Sequence, residues 1–130
     1  MIVVDASALI DVLLPAPRQR VVDARLLDPK ETRHAPHLID IEIAQVIRRH
    51  SASGQIDQER CRTAIVDLAD FPMRRYPHDL LLRRVWELRH NLTAYDAVYV
   101  ALAEALDAPL LTRDRRLAGA AGLFARIEVV

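Results

Sequence analysis

The chain has 130 residues, 52% of them hydrophobic, which is the length of one domain and enough apolar material for one packed core. Eighteen basic residues balance eighteen acidic ones, so a basic tail or a uniformly cationic surface is excluded, and contact with nucleic acid has to come from a local patch. Cys61 is the sole cysteine, which rules out an internal disulfide and any dependence on an oxidising compartment. No apolar run approaches the ~18 residues of a membrane span, and the start lacks the basic segment and cleavage site of a signal peptide. The expectation is a soluble, cytoplasmic, single-domain protein with no membrane partner.

Ile2-Val3-Val4 is a short β-branched run of the kind that forms a fully buried strand. Asp5 stands at its carboxyl end, where open α/β sheets place ligands. Ala8 to Leu14 reads as a short helix capped by Ser7 and stopped by Pro15 and Pro17. A second helix is expected from about Arg18 to Leu27, with Val21, Val22, Leu26 and Leu27 at helical spacing, closed by Asp28-Pro29. Arg33-His34-Ala35 is a candidate strand ended by Pro36.

Leu38 to His50 carries Ile39, Ile43, Val46 and Ile47 on one side, a core-facing stripe, with Glu42 inside its edge. Ser51 to Gly54 reads as a turn. Ile56 to Leu68 predicts an amphipathic helix with Ile65, Leu68 and Ala69 inward and Asp57, Glu59, Arg60 and Arg62 outward. Phe71 to Arg75 contains a proline and fits an edge strand. His78 to His90 predicts a helix broken by Asn91-Leu92-Thr93. Thr93 then caps AYDAVYVALAEAL, with Asp96 three positions on, a helix apolar almost all round and therefore buried on most sides. Leu110-Leu111-Thr112 is a strand, Arg113-Asp114 a turn into a helix over Arg115 to Ala118, and Ile127 to Val130 a last strand. Strands separated by one or two helices indicate an α/β fold, an α/β/α sandwich around a mostly parallel sheet.

Four acids, Asp5, Glu42, Asp96 and Asp114, lie in apolar settings near strand ends or helix starts. Each has a structural explanation. Asp5 and Asp114 can cap the helices that follow them, Asp96 can complement its helix dipole, and Glu42, placed mid-helix, can form a buried ion pair with an arginine. Together they suggest more. In a parallel sheet the carboxyl ends of strands and the amino ends of helices share one edge, so Asp5, Asp96 and Asp114 should converge there. Clustered carboxylates repel and raise one another's pKa, a penalty that a divalent cation removes. An all-oxygen set suits magnesium or manganese. The five histidines, His34, His37, His50, His78 and His90, are scattered and read as surface or helix-end residues, which leaves no zinc cluster. An ion held by acids at a sheet edge supports phosphodiester hydrolysis by polarising the phosphoryl group, activating a water and steadying the leaving oxygen.

VVDAS at the start, HLIDIEIAQVIRR in the middle, then LTAYDAVYVALAEAL and PLLTRD, in this order and at these intervals, resemble a PIN-domain ribonuclease, specifically the VapC toxins of VapBC toxin–antitoxin pairs. The resemblance runs from Met1 nearly to the C-terminus and implies a single PIN-like nuclease domain over 1–130. It implies that Asp5, Glu42, Asp96 and Asp114 match the family's four metal-site acids, with Asp5 and Asp96 the principal ligands, Glu42 completing the site and Asp114 placing a second ion or its waters. Ser7 and Thr112 match the small hydroxyl positions that hydrogen-bond those acids. It further implies a Mg2+ or Mn2+ cofactor, an RNA substrate, a homodimer and a cognate VapB-type antitoxin. The acidic pattern shows no departure.

Arg113, Arg115 and Arg116 flank Asp114 at the expected rim, where phosphate contact is reasonable, the alternative being a solvated turn. An arginine fork suits phosphate, although Lys30 is the only lysine and a biased genome composition gives the same arginine excess. Asp40 reads as a first-turn helix charge, Asp11 as a half-exposed helix acid, and Tyr95 and Tyr99 as core or dimer contacts. Two other enzyme-like classes fit poorly. A phosphatase with an aspartate nucleophile needs a second acid two residues later, where Ser7 stands, and a receiver domain needs an acidic pair and a late lysine. The alternative that stays open is a non-catalytic partner- or RNA-binding PIN-like module.

Overall fold

The computed structural model describes residues 1–14 and 22–130. Five strands, β1 (Ile2–Val4), β2 (Arg33–Pro36), β3 (Arg74–Tyr76), β4 (Leu110–Thr112) and β5 (Ile127–Val129), form one sheet in the order β3-β2-β1-β4-β5, with all four pairings parallel. β1 is central because it is wholly buried, and its β-branched residues pack on both faces. Val3 sits opposite His34 on one side and Leu110 on the other. Strand order runs one way from β1 to β3 and the other way from β4 to β5. Right-handed crossovers therefore put the helices before and after this reversal on opposite faces, and a crevice opens where the order turns, between the carboxyl ends of β1 and β4.

The helices among the described residues are α1 (Ala6–Leu13), α2 (Leu38–Ser53), α3 (Gln58–Asp70), α4 (Leu82–Glu87), α5 (Ala94–Leu106) and α6 (Arg115–Ala118). α5 lies against β1, β2 and β4, and its run Ala97–Ala103 is buried throughout, as its unbroken apolar sequence requires. Thr93 caps it by accepting the Asp96 N–H at 3.2 Å. α2 runs past the expected end at His50 to Ser53 and closes at Gly54, whose φ of 71° is the left-handed conformation that glycine adopts freely. No helix among the described residues is long and apolar enough to cross a membrane.

Several expectations need correction. α1 begins at Ala6, so Ser7 lies inside its first turn and is not its cap. Asp5 holds the cap position, and its side chain makes no capping bond. The helix expected over 18–27 falls partly outside the described residues, as do Pro15, Pro17 and Val21. Within them, Ala24–Leu26 is only a single 3-10 turn, with Asp23 accepting the Arg25 N–H. Residues 78–90 form a 3-10 turn at Asp79–Leu81 and then the short α4, in which Leu82 and Trp86 face solvent. In α3 the inward residues are Cys61, Ala64 and Leu68, while Ile65 and Ala69 are exposed. His34 is not a surface residue. It is buried in β2, bonded through Nδ1 to the Tyr76 hydroxyl at 2.7 Å and through Nε2 to Thr32 at 3.1 Å.

Candidate active site

The crevice at the strand reversal is built first by Asp5. Its backbone continues the β1–β4 ladder through its N–H to the Leu111 carbonyl at 3.0 Å, and its carbonyl accepts from Ala8 and Leu9 to start α1. The side chain is thus fixed at the point where strand becomes helix. Its Oδ2 accepts from Ser7 Oγ and from Thr112 Oγ1, both at 2.6 Å. Those hydroxyls in turn accept backbone N–H groups, Ser7 from Arg113 at 3.0 Å and Thr112 from Asp114 at 3.0 Å. Two hydroxyls therefore join the loop after β1 to the loop after β4. Oδ1 of Asp5 takes no hydrogen bond among the described residues.

Glu42 enters from the first turns of α2. No arginine pairs with it among the described residues. Instead the buried Tyr99 hydroxyl donates to Oε1 at 2.9 Å. Burial raises the Glu42 pKa most, the Tyr99 hydrogen bond works against that, and the Asp5 and Asp96 charges add to the rise. Asp96, on the first turn of α5, is also raised, by burial and then by Asp5, with Asp114 contributing and Thr93 and Arg116 opposing. Residues 37 to 91 positions apart in sequence are thus within electrostatic reach, the Asp5 charge making both Glu42 and Asp96 harder to ionise and the Asp96 charge adding to the effect on Glu42. The Tyr99 phenol is pushed far up by burial and by Glu42 and Asp5, so it stays a neutral donor.

Asp114 stands at the edge of this group. It caps α6 through the Arg116 N–H at 2.9 Å and also takes the Arg116 guanidinium at 3.1 and 2.9 Å. That pairing holds its carboxyl below the usual range. Arg116 is otherwise open to solvent, and Arg115 is exposed beside it. Arg113 is different. Its guanidinium turns inward to Asp11 and to the Val130 carbonyl at 2.9 Å, so it is placed as an internal tie and not on the rim. Asp11, expected to be half exposed, is only 6% exposed for that reason. Asp40 pairs with Arg75 at 2.8 Å, away from the acids.

Among the described residues, no three His, Cys, Asp or Glu side chains are already closed around a common point. The donor set nevertheless fits a hard divalent ion. It is all oxygen, and among the described residues Asp5 and Glu42 each keep one oxygen without a protein donor and no basic side chain neutralises Glu42. Sequence reasoning singled out the acids as candidates but missed the Tyr99 bond to Glu42 and the Asp11–Arg113 pair. The signal for the first was present, since Tyr99 follows Asp96 by three and shares its helix face.

The PIN domain family model matches residues 2–123. The chain is similar to Ribonuclease VapC1 of Mycobacterium tuberculosis, 46% identical over 129 residues, covering 98% of this chain and 96% of that protein. It is also similar to Ribonuclease VapC9 of the same species, 43% identical over 130 residues, covering 100% and 98%. Among solved structures, VapBC2 from Rickettsia felis, bound to a DNA fragment from its promoter, superposes with a TM-score of 0.72 at 14% identity, covering 100% of this chain and 99% of that one. That likeness concerns the fold. The match along almost the whole length, on a sheet whose strand reversal gathers these acids, places the chain in the PIN-domain family, among the VapC ribonucleases.

Proposed function

We propose that this chain is the endoribonuclease toxin of a toxin–antitoxin pair, hydrolysing RNA phosphodiester bonds with a magnesium or manganese ion held by Asp5, Glu42 and Asp96, with Asp114 at its margin. The observation that carries the reading is the action of Asp5 on the half-buried Glu42 and Asp96, where burial and like charge oppose ionisation. Such a cluster is costly unless a cation uses it. The VapC ribonucleases at 43–46% identity support RNA as substrate, and the VapBC complex of the same fold supports an antitoxin partner.

Each residue has a part in this reading. Asp5 offers Oδ1 while Ser7 and Thr112 hold Oδ2. Glu42 offers Oε2 while Tyr99 holds Oε1. Arg115 and Arg116, exposed next to Asp114, are placed to take RNA phosphates. When bound, the ion supplies the positive charge that draws electron density from the phosphoryl group and steadies the leaving oxygen.

The test is cleavage of RNA by purified protein freed of its partner, in magnesium and in manganese, with Asp5→Asn and Asp96→Asn alongside. Wild type should cut, and both variants should lose cleavage while keeping a native circular-dichroism spectrum. A wild type that cuts nothing in either metal overturns the proposal and leaves a non-catalytic binding module.

A further inference from the structure

Glu42 reaches the crevice from a different element than the other acids, and among the described residues a single hydrogen bond, from Tyr99, fixes its side chain. α2 carries it in from β2, whereas Asp5 is anchored by the β1 backbone and by two hydroxyls. A glutamate has three side-chain torsions, and two oxygens that exchange by rotation of the last one. The Tyr99 hydroxyl, donating at 2.9 Å to Oε1, ends that freedom. The ring is 2% exposed within the buried run of α5, so it cannot follow the carboxylate if the carboxylate moves. The Asp5 charge also acts on the same phenol. The phenol therefore bonds the α2 acid while sitting one helical turn after Asp96 on α5.

We infer that Tyr99 is the positioning residue of the site: by holding Oε1 it turns Oε2 of Glu42 toward Asp5 and Asp96, and it ties α2 to α5, two of the elements that supply the acids. This rests on the metal-site reading above. A partner that orients a ligand in this way contributes about 10- to 100-fold to metal affinity.

Tyr99→Phe removes one oxygen and leaves the ring packing intact. The decisive measurement is Mn2+ affinity by calorimetry, with no RNA present, in a double-mutant cycle of Tyr99→Phe and Glu42→Gln. Tyr99→Phe should weaken Mn2+ binding about tenfold, and in the Glu42→Gln background it should cause no further loss, because the ligand it positions is gone. An unchanged affinity in Tyr99→Phe overturns the inference, as does a full tenfold loss on top of Glu42→Gln, which would mark a general structural effect. Asp5→Asn, run in the same series, separates the two proposals. If it binds Mn2+ as tightly as wild type, the metal site itself is wrong and the inference falls with it. If it loses binding while Tyr99→Phe keeps it, only the positioning role fails.

Discussion

At the scale of single residues, a hydroxyl has one proton to give, and this settles the hydrogen-bond direction around Asp5. Ser7 and Thr112 both spend theirs on Oδ2, so their own contact at 3.3 Å carries no donation. Thr112 is fully buried and also accepts the Asp114 N–H. Replacing it with valine keeps the shape of the β-branched side chain but leaves that N–H without its hydroxyl acceptor and takes from Asp5 one of its two hydroxyl donors. An unsatisfied buried polar group costs about 1–3 kcal/mol. Thr112→Val should therefore lose about 2 kcal/mol in urea denaturation, and Thr112→Ser should recover most of it. A loss within about 0.5 kcal/mol, the range of an ordinary surface change, would show that the hydroxyl has no such role. Much at this scale was legible beforehand. A carboxylate after a β-branched run, or one set mid-helix among isoleucines, is out of place in sequence and draws notice. Partnership is less visible. His34 looked solvated because Tyr76, which buries it, stands 42 residues away, and Asp11 looked half exposed because Arg113 stands 102 residues away. Nothing local announces either pair.

At the scale of elements, the stripe on α3 shows why helix existence is easier to read than helix rotation. Cys61-Ala64-Leu68 and Ile65-Leu68-Ala69 are both spaced by threes and fours, and hydrophobicity favours the second. The first is buried, because small residues let α3 approach α2 closely, and Arg60 can then reach the Leu13 carbonyl at the end of α1, at 2.5 Å. The short α4 shows a different dependence. Its anchor is Arg84, which donates to both oxygens of Glu104 on α5 at 2.6 and 3.1 Å and to the Gly122 carbonyl at 2.8 Å, while Glu104 also accepts the Phe124 N–H at 2.8 Å. Burial pushes the Glu104 carboxyl up, but the Arg84 guanidinium and the Phe124 amide outweigh it and hold it below the ordinary range. One guanidinium thus fastens α4, α5 and the segment leading to β5. Arg84→Ala strands a largely buried carboxylate, and hydrogen bonds to charged groups contribute about 1.5–3 kcal/mol. We expect a loss of about 2 kcal/mol together with faster proteolysis between Gly122 and Arg126. Cleavage no faster than in wild type would mean the segment is held by β5 pairing alone.

At the scale of the whole molecule, the parallel sheet forces a conflict between fold and charge. Bringing the ends of β1 and β4 and the starts of α2 and α5 to one edge also brings Asp5, Glu42 and Asp96 together, and the raised pKa values of Glu42 and Asp96 record the cost. Between their ordinary values, 4.5 and 3.8, and their raised values in the folded chain, the native state binds more protons than the unfolded state. Stability from these two groups is therefore full below the ordinary values and falls as pH rises through the folded ones. Asp23, held down by Arg25, and Glu104 behave oppositely, favouring the fold above their ordinary values and releasing that support as pH falls. They are common to wild type and variant, so a difference between the two isolates the crevice. In metal-free buffer Asp96→Asn should melt above wild type at pH 7.5, and the gap should close toward pH 4 as the wild-type acids take up protons. Adding Mn2+ reverses the ranking, since a ligand at about 100 times its Kd stabilises the binding-competent protein by about 2.7 kcal/mol, roughly 8 °C for a domain of this size. The variant should gain little. If Asp96→Asn instead melts well below wild type without metal, the carboxylate is serving the start of α5 as a helix-dipole partner. If both proteins gain equally from Mn2+, the ion is binding somewhere other than the edge where the strand order turns.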